Sequence, residues 1–178
     1  MHETAADVAA LQQLLDETYS TIGEHMRSIH TADRRVTAAE LVRILRGVRV
    51  LDVATVTATC EPRVGPVDGL FYRGRFHFGS GEESVRFRHL RARPQISASH
   101  TVGETFAVIV HGRAREIDVR APEQRGFFDY VHEVYAQWDE WYPDTGEPLP
   151  YAVIEPRRMY AYAFERSVID GLLNPPES

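Results

Sequence analysis

Arg86, Arg88, Arg91 and Arg93 crowd into one short stretch of the chain. Guanidinium groups are planar, permanently charged and shaped to meet phosphate or carboxylate oxygens. Such a cluster is either a solvated face or an anion site. The 178-residue chain carries a formal net charge of −6, so as a whole it weakly repels polyanions. A nucleic-acid binder would show a broad basic face. The cluster is therefore read as a small-anion site, with no nucleic acid as partner. The densest aromatic group, Trp138, Trp141 and Tyr142, leads into a loop rich in Pro, Gly and acid. It either packs a core or a dimer, or walls a planar ligand.

Other chemistries find no constellation. His25 and His30 are five residues apart and do not share a helix face, and no His/Cys/carboxylate group has metal spacing. No metal is expected. Cys60 has no neighbouring base and no Gly-x-Ser-x-Gly is present, so a nucleophilic triad is unsupported. Gly79-Ser80-Gly81 is too short for a dinucleotide fingerprint. His77 and His111 fall on expected strands, where packing is the default role.

The length suits one domain with an appendage, and 43% apolar with 26% charged residues is ordinary for a globular chain. A single cysteine allows no intrachain disulfide and fits a reducing, cytoplasmic setting. No segment approaches the roughly 20 apolar residues that span a bilayer. The first 30 residues hold five acidic groups and no central apolar run, unlike a signal peptide. Neither membrane nor export is expected.

The elements that must carry these groups follow from periodicity. Val8, Leu11, Leu15, Tyr19, Ile22, Met26 and Ile29 form one apolar stripe, which predicts a helix over 4–29 with Thr4 as cap. Residues 31–36 read as a linker. Thr37 and Glu40 form a capping box for a second helix, ended by Gly47. From residue 49 the period changes to two. Strands are expected over 50–59, 64–72, 75–79, 95–99, 105–119 and 151–165. Pro66 marks an edge or bulge and Pro156 a bulge. Helices are expected over 80–91, with Ser80 and Glu83 as a capping box, and from Pro122 to Trp138. Strands apolar on both faces and joined by hairpins give a mostly antiparallel barrel with helices outside. The expected division is a helical extension over 1–36 and a barrel domain over 37–178.

Four stretches, taken in order, resemble the pyridoxamine 5′-phosphate oxidase-like family. They are Leu51–Ala58 with Glu61–Val67, the hairpin and strand Tyr72–Gly79, the helix and strand start Ser84–Ile96, and Ile154–Arg157. The third is similar to the family's Ser-x-Lys-x-x-Asn-Leu-x-x-x-Pro pattern. The resemblance spans about residues 37–165 and implies a split β-barrel homodimer with flavin at the subunit interface. It places Arg86 where the family's lysine meets the cofactor phosphate, and arginine keeps that chemistry. Ser84 would donate to the same group, Arg63 is a weaker candidate, and Pro66, Val67 and Asp68 would lie along the ring. Free amides at the helix start favour an anion, although Glu82 and Glu83 compete there.

Two departures matter. His89 stands where the family has asparagine. The closing strand, Tyr160-Ala-Tyr162-Ala-Phe164, lacks the Arg-x-His pair that true pyridoxamine-phosphate oxidases use on their substrate. The resemblance thus implies an FMN-dependent oxidoreductase acting on some other small molecule, with the flavin supplying the redox chemistry. One alternative is a deazaflavin (F420) reductase, whose acidic tail Arg88, Arg91 and Arg93 would meet. Another is a non-catalytic flavin or haem binder, with His111 as haem ligand. A dimerisation module with an empty pocket is the third.

Overall fold

The period-two runs become six strands: β1 (Val48–Val56), β2 (Pro62–Tyr72), β3 (Arg75–Gly79), β4 (Gln95–Val102), β5 (Phe106–Asp118) and β6 (Pro150–Ala163). The computed structural model describes residues 2–175. Met1 and residues 176–178, the outer ends of the two expected units, lie outside the described residues. Every pairing is antiparallel, and the strands close in the order β1-β2-β3-β6-β5-β4. Around them sit α1 (Ala5–Ser20), α2 (Glu24–Ile29), α3 (Ala38–Ile44), α4 (Val85–Ala92), α5 (Arg125–Val134), α6 (Trp138–Trp141) and α7 (Arg166–Leu173). None of the described helices is long and apolar enough to cross a membrane.

The strands are apolar on both faces because two cores use them. Leu51, Val53, Phe71, Phe76, Phe78, Val108 and Ile154 point inward and join residues of α1, α3, α4 and α7. Their neighbours in sequence, Leu70, Tyr72, Ile117, Tyr151 and Val153, point outward and are covered by Phe127, Tyr130, Val131 and Trp138. Alternation therefore fills a barrel interior and a second layer under α5. The β2–β3 hairpin turns on Arg73 and Gly74, both at positive φ (48° and 74°), as a two-residue turn of right-handed strands requires. Pro156 lies in the expected bulge: the β5–β6 register slips between His111 and Gly112. A Cβ on Gly112 would sit 2.1 Å from the Glu155 carbonyl oxygen, so the bulge demands glycine.

Several boundaries differ from those expected. The 4–29 helix breaks at Thr21–Gly23 into α1 and α2, because Gly23 is extended and opens the second helix. The 80–91 helix begins only at Val85. Its N-cap is Ser84, whose Oγ accepts from the Phe87 amide at 3.2 Å, so Ser80 and Glu83 form no box there. The helix from Pro122 divides into a 3₁₀ turn, α5 and α6. β4 continues to Val102, and α7 was not foreseen.

One seam of the barrel is short. β3 pairs with β6 only at Tyr151, Ala152 and Val153. Further along, the outer edge of β6 would face water, an invitation to pair with another chain. The N-terminal segment covers it. Thr18 Oγ1 accepts from the Met159 amide at 3.1 Å. Tyr19 Oη donates to the Ala161 carbonyl at 2.9 Å and accepts from its amide at 3.0 Å. The Val36 amide donates to the same carbonyl at 2.9 Å. Leu11 and Leu15 of α1 are buried in the barrel's own core cluster.

Tyr19→Phe keeps the ring and removes the hydroxyl that serves the Ala161 peptide. A buried amide left unpaired costs about 1–3 kcal/mol. Urea unfolding should show a lower midpoint by that amount with an unchanged slope; an unchanged midpoint would mean the edge needs no cover.

Candidate functional site

Where β2 leaves β1 and α4 begins, a pocket of about 260 Å³ opens between the strands and the aromatic group after α5. Val67, Asp68, Gly79, Ser80 and Arg86 form one wall; Tyr135, Trp138, Trp141, Tyr142 and Tyr151 form the other. α4 presents Arg86 because Phe87 and Leu90 turn into the core, which leaves position 86 facing the pocket. The Arg86 guanidinium donates to the Pro66 carbonyl at 3.3 Å and to no carboxylate among the described residues. Gly65 permits this approach, since a Cβ there would lie 3.1 Å from Arg86 Nη2. Burial pulls Arg86 below its ordinary pKa, yet an arginine remains charged. Most of its five N–H donors stay free for an anion.

Two other arginines of the cluster, Arg91 and Arg93, are occupied. Arg91 makes a bidentate pair with Glu116, both bonds at 2.8 Å, and donates to the Glu82 carbonyl. Glu116, then Glu82 and Glu83, raise the pKa of Arg91. The acidic pair thus acts on Arg91. Arg93 donates to the Ala58 carbonyl at 3.4 Å.

The aromatic wall is built on Trp138, which is 2% exposed. Tyr142 packs on it with ring centroids 4.7 Å apart, and Tyr135 and Tyr151 lie at 6.1 Å. Trp141 and Tyr142 are 56% and 44% exposed at the mouth. Tyr135 Oη donates to Asp68 Oδ2 at 3.5 Å. Burial, and then the Asp68 carboxylate, push Tyr135 up, and burial pushes Tyr151 up. Both phenols stay protonated, so the wall is neutral and apolar with hydroxyl tips. Arg120 holds the loop behind it: its guanidinium donates to the carbonyls of Tyr142, Pro143 and Glu147 at 2.8, 2.9 and 2.8 Å.

Of the residues singled out from sequence, Val67, Asp68 and Arg86 meet at this pocket, and Pro66 touches it through its carbonyl. Ser84 stands at the start of α4, where its oxygen is engaged in capping. His89 turns the other way and bonds through Nδ1 to Thr55 Oγ1 on β1 at 3.0 Å. Arg63 is exposed and paired with Glu61 at 3.0 Å. Sequence reasoning missed Gly79, Ser80, Tyr135 and Tyr151. Glycine is needed at position 79, because a Cβ there would meet the Tyr151 ring at 2.9 Å.

The fold has relatives among solved structures. A FAD-binding protein of Mesorhizobium loti matches with a TM-score of 0.55 at 19% identity, over 72% of this chain and 95% of that one. A candidate pyridoxamine 5′-phosphate oxidase of Listeria innocua matches with a TM-score of 0.54 at 13% identity, over 69% and 95%. HutZ, the haem storage protein of Vibrio cholerae, matches with a TM-score of 0.58 at 12% identity, over 70% and 93%. No family model and no curated protein matches the sequence. At such identities the likeness is one of fold: the chain has the split β-barrel fold that these proteins share.

Arg120→Ala should free the 142–149 loop and unseat Tyr142 while leaving the barrel folded. Hydrogen exchange at residues 142–149 should rise about tenfold or more, as expected when bonds worth 1.5–3 kcal/mol to a charged group are lost. Unaltered exchange there would show that Trp138 alone fixes the wall.

Proposed function

We propose that the protein is a flavin-dependent oxidoreductase that holds FMN in this pocket. The observation that carries the proposal is the meeting of Arg86, free of any carboxylate, with an aromatic wall. A guanidinium suits a phosphate and the wall suits a planar ring. When bound, the flavin supplies hydride or electron transfer to a small-molecule substrate. The chain's own part is to anchor the phosphate through Arg86 and the Ser84 hydroxyl, to lay the ring along Val67 and Asp68, and to exclude water with Trp138. A hydride step itself requires no acid or base from the chain.

The volume argues for a homodimer with the cofactor at its interface. Ligand sites usually enclose about 300–1,000 Å³, and this pocket falls short of that range. The missing wall would come from a second copy. Val50 and Val64 are 57% and 73% exposed. Val50 pairs with Asp68 and Val64 with Ala54, so both lie on the outward face that runs into Pro66 and Asp68. A partner on that face would close the pocket. Cys60, exposed and single, suits a reducing, cytoplasmic setting.

A second reading rests on His111. Ser97 Oγ holds its Nδ1 at 2.8 Å, and Nε2 has no partner among the described residues. The ring borders a groove of about 490 Å³ with Ala54, Val56, Ile96, Arg157 and Arg158. A free imidazole nitrogen beside apolar and arginine side chains suits haem and its carboxylates.

Absorbance titrations of the full chain with FMN, the deazaflavin coenzyme and haem separate these readings. FMN should bind and quench tryptophan fluorescence. Arg86→Ala should weaken it about 10- to 100-fold, the worth of a lost charged hydrogen bond of 1.5–3 kcal/mol. No flavin binding, or equal binding by the variant, would sink the FMN proposal. Haem binding abolished by His111→Ala would install the second reading. Tight binding of deazaflavin alone would keep the fold's chemistry and change the coenzyme.

A further inference from the structure

On the outer face of the barrel, beneath the start of α5, lies another cavity of about 400 Å³. It shares no lining residue with the pocket above. Two of its side chains are more than nine-tenths buried, and each keeps one polar atom without a hydrogen-bond partner among the described residues. His77 is 6% exposed and Tyr72 8%. His77 Nδ1 lies 3.2 Å from the Arg75 carbonyl. A carbonyl only accepts, so Nδ1 carries the ring proton and Nε2 presents a lone pair. Neither Nε2 nor Tyr72 Oη makes a hydrogen bond among the described residues. Both side chains line the cavity, so these two atoms are open to a ligand there.

The surroundings are cationic. Arg75 has no acidic or carbonyl partner for its guanidinium among the described residues. Arg73 lies over the Tyr72 ring at 5.4 Å. Arg115 and Arg125 also border the cavity, but Glu155 and Asp129 pair with them. The cavity's own acids are Asp7, which is engaged in capping Thr4, and Glu123. The N-cap of α5, Gln124, makes no side-chain cap bond, and the first turn of the helix borders the cavity. Its dipole adds to the positive potential. Phe127 stacks on His77 with centroids 4.2 Å apart, and Tyr72 meets the same ring edge-on at 6.0 Å.

We propose that this cavity binds a small phosphate monoester. The charged oxygens would meet Arg75 and Arg73, and Tyr72 Oη would donate to a third. A protonated phosphate oxygen would donate to His77 Nε2, a bond that a carboxylate cannot offer. The volume exceeds a phosphate group and lies within the range of small-molecule sites. The remainder accommodates an organic body against Phe127 and Tyr72. The site is independent of the flavin proposal, because it uses none of the same residues.

The test is calorimetry and imidazole NMR on the full chain with phenyl phosphate at about pH 6, where the second phosphate ionisation lies. Sulfate and benzoate serve as controls. Phenyl phosphate should bind more tightly than either control and shift the His77 ring signals. Arg75→Ala, at an exposed position that does not threaten folding, should weaken binding about tenfold or more. Arg86→Ala should leave it unchanged. An unmoved His77, equal binding in the Arg75 variant, or loss confined to the Arg86 variant would overturn the proposal; the last would place the phosphate in the other pocket.

Discussion

Ala161 turns its amide and carbonyl outward at a point of β6 where β3 no longer runs beside it. An unpaired peptide there would be costly if buried and adhesive if exposed. Tyr19 and Val36 satisfy both groups, and Thr18 serves Met159 two residues away. Much else depends on this. With α1 covering the edge, β3 needs only three pairs to close the barrel. At its other end β3 stops at Gly79, opposite Tyr151 near the start of β6, and the chain leaves the sheet toward α4.

The same economy produces the aromatic wall. Tyr151 and Val153 project outward from the short seam and need cover. α5 supplies it, and Trp138 completes it just beyond the helix. Trp138 is buried for packing reasons and yet presents Tyr142 and Trp141 to the pocket. The candidate site therefore lies where two structural needs meet: the end of β3 and the cover over β6. Electrostatics then sort the arginines of α4. Arg91 is committed to Glu116 and drawn toward Glu82 and Glu83, while Arg86, on the pocket side, is not.

The barrel was legible because its strands alternate so regularly. Period two from residue 49, the Arg73-Gly74 turn and the two prolines located the strands, and residues apolar on both faces correctly implied outer helices. The breaks in helices were less legible. Gly23 sits in an unbroken apolar stripe, and only tertiary packing decides that Ile29 ends up exposed. Ser80 was expected to cap α4, and Ser84 caps it instead, because the helix must bring Phe87 and Leu90 into the core. At the site, Arg86, Val67 and Asp68 could be named through a local pattern. Tyr135 and Tyr151 could not, since they arrive from remote strands and helices. His89 followed its helix face to Thr55 instead.

Satisfaction of polar groups separates structural charge from charge that awaits a ligand. Arg91, Arg120 and Arg125 each spend their donors on named acceptors and explain themselves. Histidines show the contrast more finely. His30 is 2% exposed, and its Nδ1 has no partner. It is wedged against Tyr162 at 4.1 Å, with Tyr19 and Tyr160 close by. Burial, and then Arg35, hold its pKa down, so it packs as a neutral ring, and aromatic contact offsets the missing bond. His77 is also kept neutral, pushed down to about 3 chiefly by burial, but its Nδ1 is bonded and its free Nε2 is not sealed in packing. It differs in bordering a cavity beside an unpaired arginine. An unmet acceptor in a packed wall is a tolerated cost; the same acceptor at the edge of a cationic cavity is a place for something to bind.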